Sequence, residues 1–211
     1  MLVLGPKPNG DQVRFYVKRP PVSVQAAAES KRRFKDAMRA ITKTAEFLLS
    51  GDVELRVEWY ISETERYETD RAPDIDNIRK PLIDAVVGPD GLVIDDNQIQ
   101  HVSCSWMDVA RESQELVVEL NFVEDEWLPK QGLVFAQLTD ALCVPLPGVL
   151  NDRQKSELIQ VFTRALQVRR EAQQLGIDSG LGRLAMPIQR VFHRSRINGF
   201  PVLSAAHFDV K

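Results

Sequence analysis

Acidic side chains with the spacing of a metal site lie in two short segments near the middle of the sequence. The first segment, residues 73–85, reads PDIDNIRKPLIDA, and the second is an adjacent pair of aspartates. Their acidic members and one lysine are Asp74, Asp76, Asp84, Asp95, Asp96 and Lys80. Carboxylates that share a cleft repel one another unless a cation compensates them, and Mg²⁺ takes one or two carboxylates while keeping water ligands. The two segments therefore predict a magnesium site able to hydrolyse a phosphate diester.

The first segment is typical of the start of a helix. The pattern predicts a helix that begins near Asp76 and ends by Gly88, with Asp76 or Asn77 as its N-cap. We expect Pro81 in or just after the first turn, where backbone N–H groups have no helical partner. Lys80 follows Asp76 by four residues, so both can share the polar face and place a positive charge near a scissile phosphate.

The same residues also fit ordinary structural roles. An Asp-x-Asp-Asn sequence before a helix often only caps it, an exposed Asp-Asp pair often lies in a solvated turn, and a surface lysine often forms a weak ion pair. A calcium-binding EF-hand loop is excluded, because Arg79 occupies the sixth position, where that loop needs glycine. One ion or two could be held by this number of aspartates.

The combined pattern resembles the signature of a known nuclease family. The string D-x-D-N-x-x-K-x-x-x-D-A followed by D-D-x-Q-I is similar to that of the RusA family of Holliday junction resolvases, and the resemblance spans roughly residues 10–125. It implies an α+β homodimer that uses Mg²⁺, with Mn²⁺ able to substitute, to nick opposing strands of a four-way DNA junction symmetrically. Residues 128–211 have no counterpart in compact members of the family.

The resemblance also implies roles for individual residues. It makes Asp74, Asp76 and Asp96 the metal ligands and Lys80 the catalytic lysine. Asp95 is a further candidate ligand, and Asn77 and Asp84 are expected to support the site.

Hydrophobic periodicity predicts the elements that would position this site. Strands are predicted over 12–18, 53–61, 98–107 and 115–123, and helices over 25–49 and 76–88. This order predicts an α+β domain in which two helices pack on a small mixed sheet, over residues 1–127. Residues 128–211 are predicted to form a mainly helical extension with a helix over about 152–175, capped by Asp152. A basic tail follows, and it includes Arg183, Arg190, Arg194 and Arg196.

Charge is segregated along the chain. Residues 51–127 carry 6 Lys/Arg against 20 Asp/Glu, whereas residues 1–50 carry 10 against 4. Because DNA affinity comes mainly from phosphate neutralisation, the basic N-terminal part is the predicted DNA-binding region. The candidates are Arg14, Lys18, Arg19, Lys31, Arg32, Arg33, Lys35 and Arg39. Symmetric cutting of a junction needs two sites related by a two-fold axis, which predicts a homodimer.

Composition excludes several other classes of protein. No apolar run approaches the roughly 20 residues that span a membrane, the start lacks the features of a signal peptide, and two cysteines are too few for a disulfide scaffold. A cytoplasmic, magnesium-dependent endonuclease acting on branched DNA in recombination and repair is therefore the first hypothesis. A non-catalytic DNA-binding or assembly protein on the same fold, and a metal-dependent nuclease for flaps or other branched nucleic acids, are the alternatives.

Overall fold

The structure of the chain is a computed structural model that describes residues 3–70, 72–110, 114–177 and 190–208. Contacts divide the chain into two units, residues 1–127 and 128–211. The elements of the first unit are β1 (Gln12–Val17), α1 (Ala28–Thr42), β2 (Phe47–Leu49), β3 (Val53–Ser62), α2 (Glu63–Tyr67), α3 (Ile75–Val86), β4 (Ile99–Val109) and β5 (Glu115–Phe122). Within the described ranges, no helix is long and apolar enough to cross a bilayer.

A four-stranded mixed sheet forms the base of the first unit. Its strand order is β1-β5-β3-β4, with β4 parallel to β3 and the remaining pairs antiparallel. Apolar side chains alternate along the strands, so that Val13, Phe15 and Val17 of β1 are all buried on one face. Residues of α1 and α3, including Phe34 and Leu82, join the same core. The predicted α+β fold with two helices on a small mixed sheet is confirmed.

Two predicted features of this unit were wrong. Helix α1 ends at Thr42, whereas the apolar pattern predicted a helix that continues to Leu49. Residues 47–49 form β2 instead, and all three are buried. A fully buried strand has no alternation of apolar and polar residues, so periodicity cannot distinguish it from a buried helix. No helix was predicted between the strand over 53–61 and the helix over 76–88, but this segment contains the short helix α2, which the Ser62 hydroxyl caps by accepting from the Glu65 N–H at 3.2 Å.

The second unit contains one long helix and further strands. Its elements are β7 (Val134–Gln137), β8 (Leu142–Leu146), α4 (Asp152–Gln174), β9 (Phe192–His193) and β10 (Val202–Ser204), preceded by β6 (Trp127–Pro129). The sheet order is β10-β7-β8-β9, and Ile159 and Phe162 of α4 pack against it. The predicted helix is confirmed, with Asn151 rather than Asp152 as its N-cap, but the strands were not predicted. Arg183 of the predicted basic tail lies outside the described residues.

The turn after α3 depends on a glycine that has no room for a side chain. A Cβ atom on Gly91 would lie 2.1 Å from the Val86 carbonyl oxygen, which also accepts a 2.7 Å hydrogen bond from the Leu92 N–H. We expect Gly91→Ala to lower the free energy of unfolding by about 2 kcal/mol or more, because backbone atoms would have to move. Chemical denaturation measures this loss. Asp90→Ala, at an exposed position of the same turn, is the control, and equal stability of the two variants would contradict the prediction.

Candidate active site

The first two aspartates of the motif lie at the start of α3. Asp74, rather than the predicted Asp76 or Asn77, is the N-cap, and its side chain makes no capping hydrogen bond. Asp76 lies in the first turn, where the positive end of the helix dipole favours a negative charge. Both residues are exposed, and within the part of the chain that the structure describes neither carboxylate has a hydrogen-bond or ion-pair partner. Both carboxylates are thus available to a ligand from solution.

A proline inside α3 connects the site to residues 18–27, the segment between β1 and α1, which we call the N-terminal loop. Pro81 is the seventh residue of the helix, and thus in its second turn rather than in or just after the first. Because proline has no N–H, the carbonyl of Asn77 four residues earlier has no helical donor. That carbonyl accepts a 2.7 Å hydrogen bond from the Val24 N–H, and the Lys31 ammonium donates to the Val24 carbonyl at 3.0 Å. The proline therefore anchors the N-terminal loop beside the predicted site.

Lys80 joins the two acidic segments of the motif. Its Nζ lies 2.6 Å from Oδ1 of Asp84, one turn further along α3, and 3.7 Å from Oδ2 of Asp96. The hydrogen bond to Asp84 raises the pKa of Lys80, against the effect of partial burial, and the negative charges of Asp84 and Asp96 raise it further. Lys80 is therefore protonated at neutral pH. Lys80 on α3 is thus in direct contact with the second acidic segment.

The second acidic pair is held by a buried glutamine. Gln98 is fully buried, and its Oε1 accepts hydrogen bonds from the N–H groups of Ile94 at 2.7 Å and Asp95 at 2.9 Å. Its Nε2 donates to the carbonyls of Leu49 at 2.9 Å and Gly51 at 2.8 Å. All hydrogen-bonding positions of the amide are thus used to tie the Asp-Asp turn to the end of β2. The sequence motif contained Gln98, but its role depends on this long-range contact.

The two aspartates of this pair have different environments. Asp95 is buried, and its carboxylate accepts from the Asn97 N–H at 3.3 Å, capping a short 3₁₀ helix over Asp96–Gln98. Asp96 is half-exposed and faces Lys80. The Asp95 carboxylate therefore stabilises the turn from a buried position, whereas the Asp96 carboxylate faces Lys80 on α3.

Comparison with known proteins identifies the family. The family model for endodeoxyribonuclease RusA matches residues 8–121, which is more than half of the chain and includes α3 and the Asp95-Asp96 turn. This chain belongs to the RusA family. No curated protein matches the chain significantly. RusA-family proteins are endodeoxyribonucleases that resolve Holliday junctions, so branched DNA is the class of substrate that membership implies.

RusA-family nucleases generally depend on a divalent metal, and the ligand chemistry of this site fits one. Asp74, Asp76 and Asp96 offer only carboxylate oxygens, which are the ligands that Mg²⁺ prefers. Over the described ranges, no three acidic, histidine or cysteine side chains are close enough to form a complete metal-binding group. Mg²⁺ needs only one or two carboxylates when water and substrate phosphate supply the remaining ligands, so a complete protein cage is not required.

The predicted DNA-binding residues do not form one surface. Arg14 alternates with buried Phe15 on β1, so it points away from the face that α1 covers, and it pairs with Glu58 at 3.8 Å. On α1, Arg32 and Arg33 both bind Glu29. These pairs leave less positive charge for a polyanion than the sequence alone indicated.

The remaining basic residues differ in their contacts. Arg19 Nη1 donates a hydrogen bond to the Arg33 carbonyl at 3.4 Å, and the Lys31 ammonium donates one to the Val24 carbonyl in the N-terminal loop. By contrast, the side chains of Lys18, Lys35 and Arg39 make no ion pair or hydrogen bond with any residue of the described ranges. Lys18, Lys35 and Arg39 are therefore the members of the predicted set whose charge is not used in an ion pair or hydrogen bond within the described ranges.

Proposed function

We propose that this chain is a magnesium-dependent endonuclease that resolves four-way DNA junctions in recombination and repair. The contact between Lys80 and Asp96, supported by the 2.6 Å hydrogen bond from Lys80 to Asp84, carries the proposal. It brings the two halves of the RusA-family motif into one place on the surface, where a DNA strand can reach them.

Each residue of the site has a defined task in this proposal. Asp74, Asp76 and Asp96 are the proposed ligands, of which one or two would hold the ion together with water and substrate phosphate. The ion would supply Lewis-acid activation of water and stabilise charge on the phosphate. Lys80 keeps a proton on Nζ and places that positive charge beside the scissile phosphate. Asp84 orients Lys80 and keeps it protonated, which makes Asp84 a positioning residue. Asn77 supports the site through its carbonyl, which anchors the N-terminal loop.

The proposal includes a homodimer. Symmetric resolution of a junction requires two cuts in opposing strands, and two sites related by a two-fold axis provide them. Asp95 has no ligand role in this proposal, because its carboxylate is buried and caps the turn.

Cleavage of a synthetic four-way junction tests the proposal directly. The chain is incubated with the junction or with a linear duplex of the same arm sequence, in Mg²⁺ or in EDTA. We expect paired, symmetric nicks in the junction alone, and only with Mg²⁺. Cleavage of flaps in preference to junctions would favour a nuclease for other branched substrates. Binding of the junction without cleavage in either Mg²⁺ or Mn²⁺ would favour a non-catalytic DNA-binding protein.

A further inference from the structure

We propose that Lys35 and Arg39 form a binding site for a backbone phosphate of the DNA strand that passes over Lys80. The other basic residues of α1, in particular Arg32 and Arg33, are not part of this phosphate site. The inference rests on the proposed nuclease function and specifies how the substrate strand is held beside the reacting phosphate.

The two side chains lie on one face of α1 and lack partners. Lys35 and Arg39 are four residues apart, so they are neighbours on the helix surface. Both are half-buried, and Nε of Arg39 is buried with no hydrogen-bond partner among the described residues. A half-buried guanidinium with an unused donor is costly unless an acceptor arrives from outside. The negative end of the α1 dipole compensates part of this charge but supplies no acceptor to Nε.

The pair lies next to the candidate active site. Partial burial lowers the pKa of Lys35, the charge of Arg39 lowers it further, Asp84 raises it and Lys80 lowers it again. Lys35 is therefore close enough to the Lys80–Asp84 pair to sense both charges. Nη2 of Arg39 lies 3.9 Å from the position that a Cβ would occupy on Gly88, at the turn that follows α3. Lys35 thus lies beside the part of α3 that carries Lys80, and Arg39 lies beside the end of that helix.

Charge balance favours an anion as the ligand. Asp84 of α3, whose charge raises the pKa of Lys35, already binds Lys80 at 2.6 Å. The charge of Asp36 on α1 also acts on Lys35, but neither Lys35 nor Arg39 forms an ion pair within the described ranges. The two cations therefore repel each other, and a phosphate relieves this repulsion. The planar guanidinium of Arg39 can donate two parallel hydrogen bonds to a phosphate, while Lys35 acts as a point charge. A phosphate near the scissile one is the anion that the proposed function places there.

The same helix supplies matched controls. Arg32 and Arg33 carry the same charge as Arg39 and lie one to two turns before it, but they share Glu29 as a partner. Their side chains are 68% and 71% exposed. Removing either of them changes the net charge as much as removing Arg39 does, without changing the pair beside Lys80.

The test is the salt dependence of junction binding. Affinity of the full chain for a fluorescent four-way junction is measured in EDTA over a range of NaCl concentrations, for wild type, Lys35→Gln, Arg39→Gln, Arg39→Lys and Arg32→Gln. Each phosphate contact contributes about 0.9 to the slope of log affinity against log salt. We expect Lys35→Gln and Arg39→Gln each to lose about one such contact and to bind about tenfold more weakly. Arg39→Lys should keep the slope, and Arg32→Gln should match wild type.

The outcomes separate this inference from the proposed function. Wild-type cleavage in Mg²⁺ is measured in parallel, so absence of cleavage would overturn the nuclease proposal whatever the slopes are. If wild type cleaves but Lys35→Gln keeps the wild-type slope, the phosphate site is wrong and the nuclease proposal stands. An equal loss of affinity and slope in Arg32→Gln would also overturn the phosphate site, because the loss would then reflect the net charge of the protein and not a specific contact. Thermal unfolding shows whether the Arg39→Gln protein is folded. If it is not, the slope of Lys35→Gln alone tests the phosphate site.

Discussion

Asp76→Asn is expected to reduce the rate of junction cleavage about 10³-fold while the protein remains folded. The carboxylate is exposed and has no partner in the described part of the chain, so its loss removes a ligand rather than a structural contact. Within the described ranges, its structural contribution comes from its position at the positive end of the α3 dipole, which is worth about 0.3–1 kcal/mol. Single-turnover cleavage of the four-way junction and thermal unfolding measure the two effects separately.

Asp90→Asn is the matched control for this prediction. Asp90 is also exposed, but it lies in the turn beyond the other end of α3. The Asp90→Asn protein should cleave the junction at the wild-type rate. A wild-type rate in Asp76→Asn would contradict the ligand role of that residue, and equal losses in both variants would indicate a general effect of surface charge.

Gln98→Leu is expected to lower the free energy of unfolding by about 3–5 kcal/mol and to reduce cleavage as well. Leucine has a similar size but leaves the N–H groups of Ile94 and Asp95 and the carbonyls of Leu49 and Gly51 without the partners that Gln98 supplies. Buried polar groups that lose a partner cost about 1–3 kcal/mol each, and partial relaxation keeps the total below the sum. Denaturant unfolding measures the stability.

A second glutamine separates the role of Gln98 from a general effect of the substitution. Gln100 is exposed, and its Nε2 donates to Asp52 at 3.3 Å and to the Asn97 carbonyl at 3.0 Å. Gln100→Leu should therefore cost less than about 1 kcal/mol. Gln98→Glu removes both donors and leaves a buried carboxylate facing the carbonyls of Leu49 and Gly51, so it should be at least as unstable as Gln98→Leu. A Gln98→Leu protein as stable as wild type would show that the turn does not need this amide.

The local parts of the site were predictable because neighbouring residues in the chain remain neighbours in space. The spacing of Asp74, Asp76 and Lys80 placed them on the start of one helix, and the alternation of Val13, Phe15 and Val17 identified a strand and its buried face. These patterns, with the Asp-Asp pair, were enough to identify the family that the match over residues 8–121 confirms. The α+β fold of residues 1–127 followed from the order of the elements.

The strands of the second unit were not predictable from periodicity. They are short, from two to five residues, and the last four residues of β8, Cys143–Leu146, are buried without alternation. A run of this length does not distinguish a strand from an irregular segment. Their pairing with strands far along the chain, such as β10 with β7, determines them instead.

Only the tertiary structure determines which charged side chains form ion pairs with one another. The sequence grouped eight basic residues as DNA-binding candidates, but Glu29 binds two of them and Arg14 lies on the opposite face of the sheet. Lys80 reaches Asp96 because Gln98 ties the turn to β2, which is far away in sequence. Hydrophobic periodicity determines which side of each element faces the core. The distances between polar groups on different elements, and hence the site, depend on long-range contacts that periodicity does not encode.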